Sequence, residues 1–319
     1  MGRESSAAIN YELTNFAAGK INEESVNEAN ALALRLAPIV QVPGATGQYK
    51  AFDDINAFQI YNTARATGGD PTRLEFKASD PTYSCKPHAL EVTIDEWERA
   101  QAGDSPLGQK LLDQGKVGAL TAAAAKSDAK DVVDTVLGLV TAVADRGDWA
   151  APGVDPIDQI DEQLLALSLA VGSKANINID MDLSAWYALR SNAKVKARVG
   201  PNQVLPLTRE QFTSSLLITP QQFNTTSIVY HSTKLGQATQ TKARLLNAVC
   251  LIYVSVPNAS VYDASAFKRF SVGMGGPLAN VRSWQNPNGL YDGHMLTWNK
   301  DIKQTSTVAI RRLNVTVPA

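Results

Sequence analysis

The sequence of 319 residues has little of several things that define common protein classes. It contains two cysteines, Cys85 and Cys250, far apart and with no second thiol near either. This argues against a disulfide framework or a cysteine-based metal site and fits a reducing cytoplasm. No apolar run approaches the roughly 20 residues that span a membrane. The polar residues 1–10 lack the apolar core of a signal peptide, so we expect a soluble chain made in the cytosol.

Charge is also scarce, because only 19% of the residues are charged. The totals of Lys+Arg 30 and Asp+Glu 31 leave no basic excess, and the net charge is -1. A dedicated nucleic-acid binder shows such an excess, so any contact with DNA should be diffuse and local. The length allows one large or two ordinary domains with a substantial core.

The motifs of common catalytic sites are missing. No histidine has a second His, Cys or acidic partner at metal-ligand spacing, and we expect surface or loop positions for His88, His231 and His294. Neither a nucleophile elbow nor a Walker-type loop occurs. The glycine-rich residues 273–276 run into Pro277 and precede no helix, which indicates a loop and not a phosphate cradle. Cys85 has only Lys86 nearby to lower its pKa, so it receives no role.

Two charged groups invite a functional interpretation. Acidic residues at a helix N-terminus complement the helix dipole, and this structural explanation is preferred over a metal site for Asp155, Asp158, Asp161 and Glu162. A basic run either suits a helix C-terminus or meets phosphate or an acidic neighbour, and both remain open for Arg190, Lys194, Lys196 and Arg198. Trp186 and Tyr187 resemble a ligand box, but helical spacing favours Trp186 as core. We therefore predict no catalytic, cofactor-binding or metal-binding residues and no enzymatic activity.

Strong structural signals stand beside these absences. Asp155 and Pro156 predict a helix start, and Gly172 predicts its end. Ile177 and Ile179 then alternate with asparagines as in a strand, and Asp182 caps a further helix over residues 183–191. A short helix is expected at residues 208–216. Apolar residues fill both faces of residues 245–256, which predicts a central strand buried on both sides. Residues 306–317 alternate again.

Residues 109–144 are rich in Leu, Ala and Val, with a 3.6-residue period from Val133. Gly147 is a plausible stop, while Gly108, Gly115 and Gly118 leave open whether there are one or two helices. A continuous helix would be about 54 Å long at 1.5 Å per residue. Such a length suggests an element that spans a whole domain.

The N-terminal third has few bulky apolar residues. Residues 1–35 form an amphipathic segment that cannot fold alone and should lie on something else. Residues 37–93 carry many Gly and Pro residues between β-prone pieces at 58–61, 73–77 and 89–93, with a turn signal at 68–70. This stretch is either a long surface loop or a protruding hairpin that packs on a neighbouring subunit.

Two segments carry a family resemblance: Asp182-Leu-Ser-Ala-Trp-Tyr-Ala-Leu-Arg190 and Leu251-Ile-Tyr-Val-Ser-Val-Pro257. In the residues of these segments and in the order of its predicted elements, the chain resembles the major capsid proteins of tailed phages with the Hong Kong 97 fold. The resemblance implies an α+β fold in four parts. They are an N-terminal arm at 1–48, an extended β-hairpin loop at 49–91, a peripheral domain with a long spine helix at 92–154 and 262–319, and a mixed α/β axial domain at 155–261.

The resemblance also implies a function. The chain would self-assemble into pentamers and hexamers of an icosahedral shell around double-stranded DNA, which it contacts without sequence specificity. Portal, decoration and scaffolding proteins are the further partners, no membrane is involved, and the virion is assembled in the host cytoplasm. Fewer than fifty residues precede the hairpin, so we expect a separate scaffolding protein instead of a built-in segment. The alternatives are an encapsulin-type nanocompartment and a soluble α/β enzyme with an unrecognised site.

Some members of this family cross-link their shells through Lys–Asn isopeptide bonds. Lysines on or beside the predicted hairpin are Lys50, Lys77 and Lys86, and candidate asparagines are Asn280, Asn286, Asn288 and Asn299. The reaction needs an unprotonated amine, whereas an exposed Lys with a pKa of about 10.4 stays charged near neutral pH. We therefore predict shells held by non-covalent contacts alone.

Overall fold

The computed structural model describes residues 8–21, 24–49, 80–199, 207–233, 239–260, 263–273, 280–286 and 288–317, together with residues 51, 60, 63, 64 and 67. The helices in these ranges are α1 (Tyr11–Lys20), α2 (Glu24–Leu36), α3 (Glu96–Ala102), α4 (Pro106–Leu139), α5 (Pro156–Val171), α6 (Leu183–Ser191), α7 (Ala193–Val199) and α8 (Arg209–Ser215). Among the described residues, none of these helices is long and apolar enough to cross a membrane.

The strands in the same ranges are β1 (Ala8–Ile9), β2 (Ile39–Val42), β3 (Thr46–Gln48), β4 (Thr82–Ser84), β5 (Lys86–Asp95), β6 (Ile177–Asp182), β7 (Gln222–Thr226), β8 (Val229–His231), β9 (Lys242–Arg244), β10 (Val249–Val254), β11 (Phe267–Val272), β12 (Asn280–Gln285), β13 (Tyr291–Gln304) and β14 (Ile310–Asn314). They form two larger sheets and two short ribbons, β3–β4 and β8–β9.

Helix α4 is continuous over 34 residues, which settles the question of one helix or two. The Ser105 side chain caps its start and Pro106 occupies the first turn. Internal glycines cost only about 1 kcal/mol each against alanine, and packing of the buried residues from Val117 to Val136 outweighs that cost. The predicted stop at Gly147 is wrong, because the helix ends at Leu139. Beyond Leu139 the chain runs beside strand β14, where the Val143 N–H donates to the backbone carbonyl of Arg312 at 2.9 Å.

The first sheet has the order β1-β12-β13-β11-β2, and β5 also pairs with β13. Strand β5 runs antiparallel to β13 over ten residues, from Lys86 opposite Lys300 to Asp95 opposite Tyr291. The predicted β-prone piece at 89–93 is therefore a strand, and its partner is β13 of the first sheet instead of another strand of the predicted hairpin. Helix α4 packs against β5 and β13. The sheet and the long helix together form one layered unit.

The second sheet has the order β14-β10-β6-β7. Strand β10 lies between two antiparallel neighbours and all six of its residues are buried, as predicted for this segment. It begins at Val249 instead of residue 245, because residues 245–248 form a turn in which Ala248 has a φ of 50°. Strand β14 comes from the range 262–319, so that range contributes to both sheets. The four-part domain division stays a prediction.

Helices around the second sheet begin and end where the capping residues indicate. Asp155 caps α5, Asp182 caps α6 and Thr208 caps α8, each with its side chain accepting a backbone N–H. Gly172 ends α5 in the left-handed conformation. These three predicted helices are confirmed.

The N-terminal segment lies on the chain's own long helix. Helices α1 and α2 both pack against α4, and β1 pairs with β12. The apolar residues that this segment buries include Leu13, Ala17, Ala29, Leu32, Ala33 and Leu36. Small side chains such as Ala29 and Ala33 allow two helices to approach closely. Strand β2 then adds to the first sheet parallel to β11. The surface on which the predicted arm lies is thus within the same subunit.

Candidate assembly surfaces

The segment of residues 49–81, called the excursion, begins and ends at one short antiparallel ladder. Strands β3 and β4 pair antiparallel, with Thr46 opposite Ser84 and Gln48 opposite Thr82, so residues 49–81 lie between the two ends of one ladder. The predicted pieces at 58–61, 68–70 and 73–77 fall outside the described residues, except for Ile60, which is fully exposed. The hairpin itself stays a prediction, while its base is described.

Aromatic packing fixes the base of this excursion. Tyr49 and Tyr83 lie on Phe270 of β11, with ring centroids 5.0 and 4.8 Å away. The Ser84 N–H donates to the Asp301 carboxylate at 2.7 Å. A Cβ atom at Gly47 would lie 2.5 Å from the Tyr83 hydroxyl, so this close approach requires glycine. The first sheet thus determines where residues 49–81 start and end.

Helix α2 joins the two sheets through polar contacts. Arg35 donates to both carboxylate oxygens of Asp180 on β6, at 2.7 and 3.3 Å, and the Tyr253 hydroxyl on β10 donates to the same carboxylate. Burial raises the pKa of Tyr253, and the Asp180 charge adds to the effect. Near the other end of the helix, Glu28 accepts from the Ser227 N–H at 2.6 Å. Since the apolar side of α2 packs on α4, this helix connects the long helix to the second sheet.

A buried ion cluster fixes α4 to the first sheet. Asp128 on α4 accepts from Arg269 of β11 and, at 2.8 Å, from Lys300 of β13. Lys300 also donates to Asp131 at 2.7 Å. Removing one member of such a cluster leaves an uncompensated buried charge, which is strongly destabilising. The cluster therefore ties the long helix to two strands of the first sheet.

The acidic residues singled out in the sequence do not converge on a cavity. Arg198 binds both Asp155, at 2.6 Å, and Asp158. Glu162 pairs with Arg146 at 2.8 Å, and Asp161 accepts the Leu217 N–H at 2.8 Å. Burial raises the pKa of Asp161. Arg198 is the member of the basic run that meets an acidic group within its own chain, while Lys194 and Lys196 are exposed and their contact with a partner stays a prediction.

The histidine prediction is wrong for His294, which is buried in β13. Its Nε2 lies 3.2 Å from Asp113 of α4, and its Nδ1 lies 3.0 Å from the Ser283 hydroxyl on β12. Asp113 stands 181 positions earlier, so local spacing gives no sign of the pair. His88 is half-buried and stacks on Trp298, and desolvation lowers its pKa, with Lys300 adding to the effect. In the described part of the chain, no group of three or more His, Cys, Asp or Glu side chains could hold a metal ion.

Cys85 lies at the base of the excursion, and its thiol donates to the Phe270 carbonyl at 3.5 Å. Burial and the charge of Asp301 raise the pKa of the Cys85 thiol, which disfavours the reactive thiolate. Trp186 is buried as predicted, against Phe212 and Phe223.

Several large apolar side chains point to solvent. Leu107 and Leu111 lie one turn apart at the start of α4, and Leu165 and Leu169 lie one turn apart on α5. Leu169 is 82% exposed and Tyr187 of α6 is 61% exposed. Grouped exposed apolar residues mark contact surfaces between proteins more often than isolated ones do. The described part of the chain therefore carries grouped, exposed apolar side chains, a feature that suits association.

No family model matches this chain, and no curated protein matches it. Solved structures do. A phage-related protein of Bordetella bronchiseptica RB50 is 15% identical, with a TM-score of 0.71 over 99% of this chain and 100% of that chain. A prophage protein of E. coli CFT073, proposed to be a capsid protein, is 11% identical, with a TM-score of 0.55 over 98% and 100%. A virus-like particle from Pyrococcus furiosus is 10% identical, with a TM-score of 0.51 over 95% and 98%.

These similarities are similarities of fold, and they extend over 95% to 99% of this chain. The chain has the α+β Hong Kong 97-type capsid fold, as the resemblance in its sequence implied. At these low identities the chain resembles its neighbours in architecture and not in individual side chains.

Proposed function

We propose that this chain is the major capsid protein of a tailed phage and self-assembles into the icosahedral shell that encloses the double-stranded DNA genome. The observation that carries the proposal is the match in both directions to the prophage protein of E. coli CFT073, 98% of this chain against 100% of that one. The match to a phage-related protein at a TM-score of 0.71 supports the same assignment.

The geometry suits a subunit whose exposed surfaces pack against neighbouring subunits. The layered unit of helix α4 and the first sheet holds the base of the excursion at 49–81, and exposed leucines lie on α4 and α5. Contacts between different faces of identical subunits are heterologous and close into rings when the rotation allows it. Such rings would be the pentamers and hexamers of the shell. The net charge of -1 favours diffuse contact with DNA over specific recognition.

The further partners belong to the same proposal. Assembly in the host cytoplasm would use a separate scaffolding protein, a portal and decoration proteins, and the assembled chain would reside in the virion. No catalytic step, cofactor or membrane is part of the proposed function.

An encapsulin-type nanocompartment is a second candidate, because the fold is shared with a particle named only as virus-like, from Pyrococcus furiosus, as well as with phage-related proteins. The absence of a basic excess is compatible with a shell that encloses protein and with a shell that encloses DNA. The two candidates differ in what the shell encloses, protein cargo or DNA.

Electron microscopy of the purified protein tests the proposal directly. We expect closed, regular shells, or capsomers that close on crowding with polyethylene glycol. Leu169→Asp places a charge on an exposed leucine of α5 and tests whether this surface takes part in assembly, since the variant should leave the melting temperature unchanged. Subunits that remain monomeric at every concentration, with and without crowding, would contradict the proposal. Nuclease-treated particles from the producing cell then separate the candidates, because protected DNA supports the phage capsid and protected protein cargo supports the nanocompartment.

A further inference from the structure

A cavity of about 500 Å³ lies where helices α1 and α4 meet strands β12 and β13. Residues from all four elements line it, namely Asn10 at the cap of α1, Asp113 on α4, Ser283 on β12 and His294 on β13. The side chains of Asp113 and Asp292, which also lines the cavity, are 24% and 20% exposed, so the cavity is open to solvent. Its volume is that of a pocket for a small molecule.

Three of these side chains form one hydrogen-bonded chain. Ser283 and His294 lie directly opposite each other in the β12–β13 ladder, so their side chains share a face of the sheet. The Ser283 hydroxyl lies 3.0 Å from His294 Nδ1, and His294 Nε2 lies 3.2 Å from Asp113. An ionised carboxylate only accepts hydrogen bonds, so Nε2 of the neutral ring carries the proton and Nδ1 is the acceptor. The Ser283 hydroxyl therefore donates to a ring nitrogen that is free to take its proton.

Two further side chains hold this arrangement in place. Arg99 donates to the same carboxylate oxygen of Asp113, at 3.0 Å. Asn10 accepts the Leu13 N–H through its Oδ1 at 3.1 Å, which directs its Nδ2 to the Ser283 Oγ at 3.4 Å. A donor beside a nucleophilic oxygen stabilises the negative charge that develops on an acyl oxygen during attack. A nucleophile, a base, an orienting carboxylate and a donor thus lie in one cavity.

We propose that Ser283 is the nucleophile of an ester-hydrolysing site, with His294 as general base and Asp113 as its positioning residue. The Ser283 Oγ bonds to the carbonyl carbon of a carboxylic ester while its proton passes to His294 Nδ1. The C–O bond to the alcohol then breaks, and the alcohol leaves with that proton. Water next gives a proton to Nδ1 and its hydroxyl to the acyl carbon. The carboxylic acid leaves as the proton returns to the Ser283 Oγ.

The charges of the cavity define the class of ester. Its lining residues in the described part of the chain include two carboxylates, Asp113 and Asp292, and one guanidinium, Arg99. With a neutral histidine this leaves one negative charge, which favours a small neutral or cationic ester over an anionic one. The activity goes beyond the proposed function and departs from the expectation of no enzymatic activity. Positions 113, 283 and 294 are too far apart for a local motif to reveal the site.

Labelling with a biotinylated fluorophosphonate tests the nucleophile, because this probe bonds to activated serines and leaves ordinary serines unmodified. We expect mass spectrometry to locate the label on Ser283 of the native protein and to find none after heat denaturation. Ser283→Ala should lose the label. Ser232→Ala is the matched control and should keep it, because Ser232 is exposed and its hydroxyl pairs with Thr241. Native protein without a label on Ser283 overturns the inference. The result does not require shells, so its failure leaves the proposed function intact.

Hydrolysis of p-nitrophenyl acetate tests the positioning residue, with Ser283→Ala giving the background rate. In Asp113→Asn the amide is able to donate to His294 Nε2, which puts the ring proton on Nδ1 and removes the acceptor for Ser283. We expect hydrolysis to slow by about tenfold or more. Asp113→Glu keeps a carboxylate and should recover at least part of the rate. Rates that follow the melting temperatures of the two variants instead of their charge would leave Asp113 a structural role and overturn its assignment.

Discussion

Arg35 on the N-terminal helix α2 binds Asp180 in the second sheet through two hydrogen bonds, although 145 residues separate them in the chain. The Asp180 side chain is fully buried, so its charge depends on this partner and on the Tyr253 hydroxyl. A segment that the sequence suggested as an arm therefore contributes to the interior of the subunit.

Replacing this arginine tests that dependence. Arg35→Met leaves the Asp180 carboxylate buried without its counter-charge, and we expect a loss of about 3–5 kcal/mol in the free energy of unfolding. Arg146→Met is the control, because the Arg146–Glu162 pair is largely exposed and such pairs contribute about 1 kcal/mol or less. Urea unfolding of both variants measures the difference. Equal losses for the two would show that Arg35 is not structurally important.

Gly147 offers a second test, at the site where the sequence suggested a helix stop. Its φ is +96°, and an added Cβ would lie 1.9 Å from the carbonyl oxygen of Asn314. Gly147→Ala should therefore cost more than about 2 kcal/mol, from backbone strain and displacement of β14. Gly153→Ala should change stability little, since nothing lies within 4 Å of the added atom. Thermal unfolding that ranks the two variants in the opposite order would contradict this account.

The central strand β10 provides a packing test. Ile252 is fully buried between two neighbouring strands, and Ile252→Ala should lower stability by about 2–5 kcal/mol. Leu169→Ala removes an exposed side chain and should stay within about 0.5 kcal/mol of wild type. Melting temperatures of purified subunits report both values. An Ile252→Ala variant that melts with wild type would remove β10 from the core.

Lys268 predicts a pH dependence. Its side chain is fully buried, and burial lowers its pKa, an effect partly offset by Asp263, whose carbonyl accepts from Lys268 Nζ at 2.8 Å. Between this lowered pKa and the ordinary 10.5, the unfolded chain binds more protons than the folded chain. The Lys268 contribution to stability should therefore rise with pH across that window. The measurement is the unfolding free energy of wild type minus that of Lys268→Met, and a flat or falling difference would contradict the shift.

Denaturing electrophoresis tests the prediction of non-covalent shells. Among the candidate lysines, Lys86 begins β5 and is exposed, whereas Lys50 and Lys77 lie outside the described residues. Boiled, reduced particles should run as one band near 34.2 kDa. A ladder of multimers that survives denaturant and reductant would establish covalent links.

The sequence was sufficient for elements whose signals are local. Capping by Asp155 and Asp182 predicted two helices, a third was predicted at residues 208–216, and two apolar faces predicted the buried strand β10. Contacts between distant segments were not predictable in this way. The burial of His294 depends on Asp113, and the role of Arg35 depends on Asp180, and neither pair has a spacing that a local pattern reveals. The long helix was uncertain because its glycines lower local propensity, which packing against α1, α2 and the first sheet overrides.

Strand β14 also constrains when this protein can finish folding. Strand β10 is covered on one side by β6, which precedes it, and on the other by β14, which follows about sixty residues later in the chain. During synthesis, a fully buried strand therefore exists for a time with one edge open, and such edges associate with other chains. A ribosome bearing a chain that ends before residue 314 carries a subunit that cannot close its second sheet. Incomplete chains on neighbouring ribosomes of one messenger RNA would be able to pair through this open edge. Strand β14 therefore has to be synthesised and paired before the subunit meets other copies.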